Sequence, residues 1–306
     1  MGLDHMNMFF KKVCFFMVVL QAAVCAGEDR IDFLVNRLRE KGPHNYAMVI
    51  AHRGDWRYGP ENSLEGFENC IRSGFDAIEV DVRMTKDSVL VIMHDETVNR
   101  TTNGKGRVSD LTFAEIKKLR LKTPTNYLTD QRVPSFEETL NLARGQILVL
   151  VDKWSLYKEA VLKMVHSMGM DRQIMLAGTT NMVSDEYKLA MQYPEVNYIP
   201  FIQCNGKRDE PLFTDLQRRM QPVGYFIAFP SDKYGILQAA QKYAEFGNRL
   251  WVGTMIGNCC NGGHNDHLGL TDAEASYGWL LDHGFTVFFT DNPHGVQEFL
   301  KSRNMR

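Results

Sequence analysis

The residues best suited to chemistry in this 306-residue chain lie between positions 48 and 95. His52 and His94 each stand at the end of a short apolar run, and an imidazole can take or give a proton near neutral pH. Glu79 and Asp81 alternate with apolar residues, so a strand would present both carboxylates on one face. This combination of residue types indicates acid–base chemistry beside an acidic site.

Short elements must position these side chains. Met48–Ala51 is typical of a strand that ends at His52, and Ser63–Arg72 has apolar residues at helical spacing. Ala77–Val82 has the alternation of a second strand. If the two strands are parallel neighbours joined by the helix, His52 joins the two carboxylates.

A third run, Val89–Met93, also has strand composition. Only Thr85–Ser88 separates it from the preceding strand, and a gap this short allows a hairpin but no parallel crossover. The hairpin returns His94 to the level of Glu79 or Asp81, depending on register. We therefore expect the second histidine and the carboxylates to converge.

Four strings of the chain, AHRG, PEN, IEVDVRMTKD and VIMHD, resemble those of the glycerophosphodiester phosphodiesterase family, in that family's order and spacing. The later segment Thr290-Asp291-Asn292-Pro293 resembles the family's closing TDxP motif. The resemblance implies metal-dependent hydrolysis of glycerophosphodiesters to sn-glycerol 3-phosphate and an alcohol, catalysed by His52 and His94. We take His52 as the base and His94 as the acid, an order that the residues themselves leave open.

Three carboxylates at one barrel mouth require a cation between them, because like charges repel in a low dielectric. By the resemblance these are Glu79, Asp81 and Asp152, although the family has glutamate where this chain has Asp152. An all-oxygen ligand set favours one hard divalent cation, Mg²⁺ or Ca²⁺. The alternative is a salt-bridge network of the carboxylates with Arg53, Arg83 and Lys153.

The resemblance also implies a set of substrate-binding residues. Arg53 and Lys153 would neutralise the phosphoryl oxygens, and Glu61 of the PEN string lies at the site in the family. The family's tryptophan on the seventh strand is replaced by glycine here, and Trp251, two residues away, faces the same side and would partly substitute for it. Asp291 is expected to fix the last loop and is left out of the catalytic set.

From Ile147 to Thr290 strands and helices alternate, and the whole chain offers eight βα units. This predicts an α/β fold, a (β/α)8 TIM-type barrel, with a hairpin arm and a small insertion at 98–134 after the second strand. Within the insertion, Leu121–Val133 reads as irregular. No linker divides residues 27–306, which we interpret as one catalytic domain.

Composition excludes some partners and leaves two rival functions. Charged residues make up 24% of the chain and the net charge is −2, which argues against a nucleic-acid partner. The small phosphodiester substrate is what the resemblance implies. A related phosphodiesterase acting on lysophospholipids or another phosphodiester would fit the same residues. A non-catalytic envelope protein that binds glycerophospho head groups is the second rival, although such a protein would not need two proton carriers.

The N-terminus has the pattern of a cleaved signal peptide over residues 1–26. Lys11 and Lys12 precede the apolar stretch Val13–Val24, and small residues follow before Gly27. We therefore expect an exported protein, periplasmic or secreted, without stable membrane insertion after cleavage. In an oxidising compartment, Cys259-Cys260 could form a disulfide with another cysteine or remain as free thiols.

Signal cleavage predicts a mature protein that begins at Gly27. Expression in a secreting host should give an intact mass that lacks residues 1–26. Replacing Leu20 by Arg in the apolar stretch should leave the leader attached, because a charge interrupts the hydrophobic region. A secreted protein that retains residues 1–26 would contradict the prediction.

Overall fold

The computed structural model describes residues 30–204, 209–232, 244, 247–255 and 261–306. The described strands, in chain order, are β1 (Met48–Ala51), β2 (Ala77–Met84), β3 (Leu90–Ile92), β4 (Arg120–Lys122), β5 (Leu128–Arg132), β6 (Leu148–Asp152), β7 (Ile174–Gly178), β8 (Asn197–Gln203), β9 (Gly224–Ala228), β10 (Arg249–Gly253) and β11 (Phe285–Thr290).

Eight of these strands close into a parallel barrel. The order runs β1-β11-β10-β9-β8-β7-β6-β2, and β2 pairs again with β1. Ile50 lies opposite Ala77 at the closing pair, and Asp81 lies opposite Asp152 between β2 and β6. The predicted (β/α)8 barrel is confirmed, and its parallel strands place their carboxyl ends at one mouth.

β3 is an additional strand that pairs antiparallel with β2. Val82 lies opposite Ile92, and the backbone of Met93 donates to that of Asp81. The predicted hairpin arm is therefore confirmed, with His94 directly beyond the level of Asp81.

The insertion that follows the arm has more regular structure than its sequence indicated. Leu121–Val133 was expected to be irregular, but β4 and β5 form an antiparallel pair there. That expectation is wrong because the polar residues of β5 leave it without the apolar alternation of a strand. Its backbone hydrogen bonds to β4 supply the order instead.

Helices pack around the barrel, and the helix predicted at Ser63–Arg72 is found at Leu64–Arg72. They span residues 30–39, Leu64–Arg72, Phe113–Ile116, Phe136–Ala143, Lys158–Ser167, Asp185–Ala190, Asp209–Arg219, Asp266–Thr271, Trp279–Asp282 and Pro293–Ser302, with a π-helical turn at Glu274–Gly278. Short 3₁₀ turns occupy Val108–Asp110, Trp154–Tyr157 and Asp171–Gln173. No helix of the described residues is both long enough and apolar enough to span a bilayer.

Two helices of the described residues were missed, and several predictions cannot be compared. The sequence reading omitted Asp266–Thr271 and Pro293–Ser302; Pro293 opens the first turn of the second, a common helix-start signal. The sequence pattern also indicates a helix at Ile236–Phe246, which lies outside the described residues apart from position 244, as do the signal peptide at 1–26 and Cys259-Cys260.

Three apolar clusters hold the elements in place. The largest packs the outer helices against the outward faces of the strands, and a second fills the barrel interior. Leu34, Val35 and Leu38 of the helix at 30–39 are buried in the interior cluster, so this helix covers one end of the barrel. A third, smaller cluster of seven buried side chains lies beneath the insertion.

A buried carboxylate ties the chain terminus to the start of two strands. Asp76 is 1% exposed and accepts hydrogen bonds from Val49 N at 2.7 Å and from the Tyr46 hydroxyl at 2.6 Å. Arg306, also buried, pairs with the same carboxylate. Removing Asp76 would leave a buried guanidinium and two other donors without their acceptor.

We expect Asp76→Ala to lower the free energy of unfolding by about 3–5 kcal/mol, the usual cost of breaking a buried ion pair. Urea unfolding followed by circular dichroism measures the change. Asp130→Ala is the matched control, because the 96%-exposed Asp130 side chain pairs with Arg120 at the surface; its cost should stay below about 0.5 kcal/mol. Equal losses in the two variants would contradict the role given to Asp76.

Candidate active site

His52 follows β1 and is held by an aspartate at the end of β11. Its Nδ1 lies 2.7 Å from Asp291 Oδ1, and Trp56 Nε1 donates to the same oxygen at 3.0 Å. Burial opposes ionisation of Asp291, but the hydrogen bond and charge of His52, with Trp56, outweigh it and lower the pKa of this carboxyl. A carboxylate at Nδ1 assigns the proton to that atom and leaves Nε2 with the lone pair.

The sequence analysis expected Asp291 only to fix the last loop. In the structure it also contacts His52. A second buried carboxylate, Asp266, aligns it by accepting from Asp291 N at 2.8 Å and from the Thr290 hydroxyl at 2.7 Å. The signal that could have identified Asp291 was its place immediately after the last strand.

Arg53 adopts a left-handed backbone conformation, with φ of 57°. This turn directs its amide towards Glu79 Oε2 at 2.9 Å, while its side chain contacts three groups. Arg53 Nε lies 3.2 Å from His52 Nε2 and 3.7 Å from Asp81 Oδ2, and its Nη1 lies 3.1 Å from Glu61 Oε1. The arginine thus joins the histidine to the acidic cluster.

The three predicted metal ligands do come together. One oxygen from each of Glu79, Asp81 and Asp152 lies within 4.8 Å of the others. Glu79 and Asp81 are buried, whereas the Asp152 side chain is 58% exposed. Burial, with the charges of Asp81 and Asp152, raises the pKa of Glu79 well above its usual range. Such a set of crowded oxygen donors fits a hard divalent cation.

Lys153 and Asn62 complete the surroundings of Asp81. Lys153 Nζ contacts Asp81 Oδ1 and lies 3.0 Å from Asp152 Oδ2. Burial disfavours the charged lysine, but these two carboxylates outweigh it and raise its pKa. Asn62 Nδ2 donates to Asp81 Oδ2 at 2.8 Å. From the sequence, either Asn62 or Ser63 could cap the helix that follows; Ser63 is the cap, and Asn62 contacts the cluster instead.

His94 has its own carboxylate partner, which the sequence reading did not single out. Its Nδ1 lies 2.8 Å from Asp95 Oδ1, and Arg83 holds its backbone carbonyl at 2.9 Å. The hydrogen bond from Arg100 is the main reason that the pKa of Asp95 lies well below its usual range. An aspartate directly after the histidine in the HD string was the available signal.

Glu61 lies at the site but is fully engaged by arginines. It accepts from Arg53 and, at 2.6 and 2.8 Å, from Arg100. Burial opposes its ionisation, but the hydrogen bonds from Arg100 and the charge of Arg53 outweigh it and lower the pKa of Glu61. Its oxygens therefore hold arginines in this structure.

Both histidines open into one cavity of about 1020 Å³. Arg53, Glu79 and Asp152 are among its polar lining residues, and Phe201, Phe226 and Met255 are among its apolar ones. Trp251, predicted to contact the substrate, is not among the described residues that line this cavity. Trp251 faces the barrel interior but is fully buried one level below Gly253, which does line the cavity. Residues 256–260 lie outside the described residues.

Sequence comparison places this site in a known family. The glycerophosphoryl diester phosphodiesterase family model matches residues 52–204, half of the chain. The chain belongs to this family. A domain of unknown function matches residues 198–300.

Relatives of the family match the region of the site. A glycerophosphodiester phosphodiesterase of Caldanaerobacter subterraneus subsp. tengcongensis is 47% identical over 97 residues, 31% of this chain and 40% of the relative. Glycerophosphodiester phosphodiesterase 1 of Mus musculus is 39% identical over 104 residues, 32% of this chain and 30% of the relative. The chain thus spans less than half the length of these curated relatives.

Solved structures extend the likeness to the whole barrel. A glycerophosphoryl diester phosphodiesterase from Parabacteroides distasonis superposes with a TM-score of 0.71 at 24% identity, covering 89% of this chain and 92% of that one. An Oleispira antarctica phosphodiesterase, solved with the product sn-glycerol-3-phosphate, gives a TM-score of 0.62 at 18% identity, covering 84% and 97%. At these identities the likeness establishes the TIM-barrel fold.

The raised pKa of Glu79 predicts how the ion-free protein responds to pH. The folded state binds this proton more tightly than the unfolded state, so stability is lost as pH rises through the folded pKa. Glu79→Gln removes that loss, and in chelator at neutral pH the variant should melt at or above the wild-type temperature. Added Mg²⁺ or Ca²⁺ should raise the wild-type melting temperature but not that of the variant.

Glu159→Gln is the matched control, since the Glu159 side chain is 73% exposed and lies away from the cluster. It should respond to the ions as the wild type does. Differential scanning fluorimetry with and without ions measures all three proteins. A Glu79→Gln variant that keeps the wild-type ion response would rule out Glu79 as a ligand.

Proposed function

We propose that this chain hydrolyses glycerophosphodiesters to sn-glycerol 3-phosphate and an alcohol, using one divalent cation and two histidines. The observation that carries the proposal is the pair of imidazole–carboxylate contacts, His52–Asp291 and His94–Asp95, opening into one cavity beside the acidic cluster. Membership of the family supports it. So does the neighbour from Oleispira antarctica, whose structure holds sn-glycerol-3-phosphate.

In the first step His52 acts as the general base. Asp291 keeps the proton on Nδ1, so the Nε2 lone pair takes the proton from the free glycerol hydroxyl next to the phosphodiester. The glycerol oxygen then bonds to phosphorus, and the bond from phosphorus to the alcohol oxygen breaks. His94, when protonated, donates its Nε2 proton to the departing alkoxide, while Asp95 stabilises the imidazolium.

In the second step the two histidines exchange roles. His94, now neutral, takes a proton from a water molecule, which attacks the cyclic phosphate. His52 returns its proton to the glycerol oxygen as the ring opens. Both histidines end in their starting protonation states, so the cycle balances.

The cation and the basic side chains would stabilise the charge on phosphorus. Glu79, Asp81 and Asp152 would hold Mg²⁺ or Ca²⁺, which when bound acts as a Lewis acid towards the phosphoryl oxygens. Arg53 would move its guanidinium from His52 Nε2 to a phosphoryl oxygen, which frees the lone pair of the base. Lys153 would supply a second positive charge from the edge of the cluster.

We also propose that the chain works outside the cytoplasm after removal of residues 1–26. The n-region, apolar stretch and small residues of the sequence support this. Glycerophosphodiesters left by deacylation of phospholipids would be available to an exported enzyme of this kind.

The roles of the two histidines predict different responses to the leaving group. On glycerophosphocholine, His52→Ala and His94→Ala should each lose about 10²–10⁴-fold in kcat, the usual contribution of acid–base catalysis. On glycerophospho-p-nitrophenol, the departing phenolate needs no proton. His94→Ala should therefore recover most of its loss in the release of p-nitrophenol, which reports the first step, whereas His52→Ala should not. Opening of the cyclic phosphate by water should stay slow in His94→Ala on both substrates, because that step uses His94 as the base.

Release of p-nitrophenol measures the first step on the aryl substrate, and release of glycerol phosphate, with and without chelator, measures complete turnover on glycerophosphocholine. His267→Ala is the control. His267 lies in the helix Asp266–Thr271 and has neither of the imidazole–carboxylate contacts described for His52 and His94. Recovery in His52→Ala alone would reverse the assigned order. A wild type that binds glycerophosphocholine without turnover would favour a head-group-binding protein.

A further inference from the structure

Arg100, in the insertion, is bound to two carboxylates at once. Its Nη1 and Nη2 donate to the two oxygens of Glu61 at 2.6 and 2.8 Å. Its Nε and Nη2 donate to the two oxygens of Asp95 at 2.8 and 2.9 Å. Each carboxylate therefore receives a two-point contact from one planar guanidinium.

The two carboxylates belong to different parts of the fold. Glu61 lies in the loop after β1 and is held there by Arg53, while Asp95 lies beyond β3 and holds His94. Arg100 is the link that joins the loop to the hairpin arm. The resulting path of hydrogen bonds between the two imidazoles runs through His52, Arg53, Glu61, Arg100, Asp95 and His94.

The opposite charges of Arg100 and its two carboxylate partners stabilise each other. The hydrogen bond from Arg100 is the largest influence that lowers the pKa of Asp95, and it also lowers that of Glu61 against the effect of burial. Glu61 and Asp95 in turn raise the pKa of Arg100. All three groups are therefore charged across the working range of pH, and the link persists while the histidines exchange protons.

The guanidinium has little capacity left for substrate. Its three nitrogens make four hydrogen bonds to the two carboxylates, and a guanidinium carries five N–H groups. Lysine could not replace it, because an ammonium on a single stem cannot present two parallel donors to each of two carboxylates. Although Arg100 lines the cavity, its geometry is that of a clamp between two side chains.

We propose that Arg100 is a positioning residue that fixes His94 relative to His52, acting through Asp95 on one side and Glu61 on the other. This inference rests on the proposed function for its kinetic consequence, but the position of His94 is open to measurement without any turnover. Arg107 offers a matched control: it is also an insertion arginine paired with a carboxylate, Glu96, at 2.7 Å, in a surface pair.

Arg100→Ala should lower kcat on glycerophosphocholine by about 10–100-fold, the usual cost of losing a residue that orients a functional ligand. KM should change less than threefold, because the substrate loses no contact. Arg100→Lys should recover only a small part of the rate, and added guanidinium ion should restore part of it in Arg100→Ala but not in Arg100→Lys. Arg107→Ala should keep wild-type kcat, and all variants should keep the wild-type circular dichroism spectrum.

Nitrogen-15 NMR of the histidine rings provides the readout that is independent of catalysis. His94 should show one fixed Nδ1–H tautomer in the wild type and in Arg107→Ala, and an averaged signal in Arg100→Ala. Wild-type kcat or an unchanged His94 signal in Arg100→Ala would overturn the positioning role. A rise in KM with constant kcat would also overturn it, because that result identifies Arg100 as a substrate contact. An inactive wild type with the expected NMR change would refute the proposed function alone.

Discussion

The site depends on the repulsion among Glu79, Asp81 and Asp152. Two of these carboxylates are buried, and one oxygen from each lies within 4.8 Å of the others. Such crowding persists only with positive charge or bound protons nearby. Neighbouring groups reduce the repulsion. Lys153 contacts Asp81 and Asp152, and Arg53 lies near Asp81. The raised pKa of Glu79 favours its protonated, neutral form.

The same requirement explains the strained backbone around the cluster. Arg53, Asn62 and Lys153 all have left-handed conformations, with φ of 57°, 55° and 59°. Residues other than glycine seldom adopt this region, and the cost is borne by the packed elements on either side. In each case the turn brings a backbone or side-chain donor to an acidic group. The left-handed backbone conformations therefore occur where a donor must reach a carboxylate of the site.

Much of the fold could be predicted because its signals are local. Alternation along β2 placed Glu79 and Asp81 on one face, and the short Thr85–Ser88 gap required the hairpin that returns His94. The β4–β5 pair was missed because its order comes from backbone pairing, which polar residues do not reveal. The position of Trp251 along the barrel axis could not be predicted either. Spacing along a strand shows which face a side chain is on, but its height within the barrel depends on the stagger between neighbouring strands.

The candidate site was predictable at the level of single residues but not of their connections. His52, His94 and the three carboxylates all reach one mouth, as their strand-end positions implied. Their partners Asp291, Asp95 and Asn62 were interpreted as structural or were not singled out. A hydrogen bond between His52 and Asp291 joins residues 239 positions apart, and no local pattern records such a pairing.

The residues of the candidate site come from two parts of the molecule, the barrel and the arm. The carboxylates, Lys153 and His52 belong to the barrel, whereas His94, Asp95 and Arg100 belong to a unit with its own small core. A descendant that lost the arm would retain the anionic pocket and one imidazole. Binding of the cation and the phosphate is therefore a property of the barrel, whereas proton transfer by two imidazoles needs the arm as well.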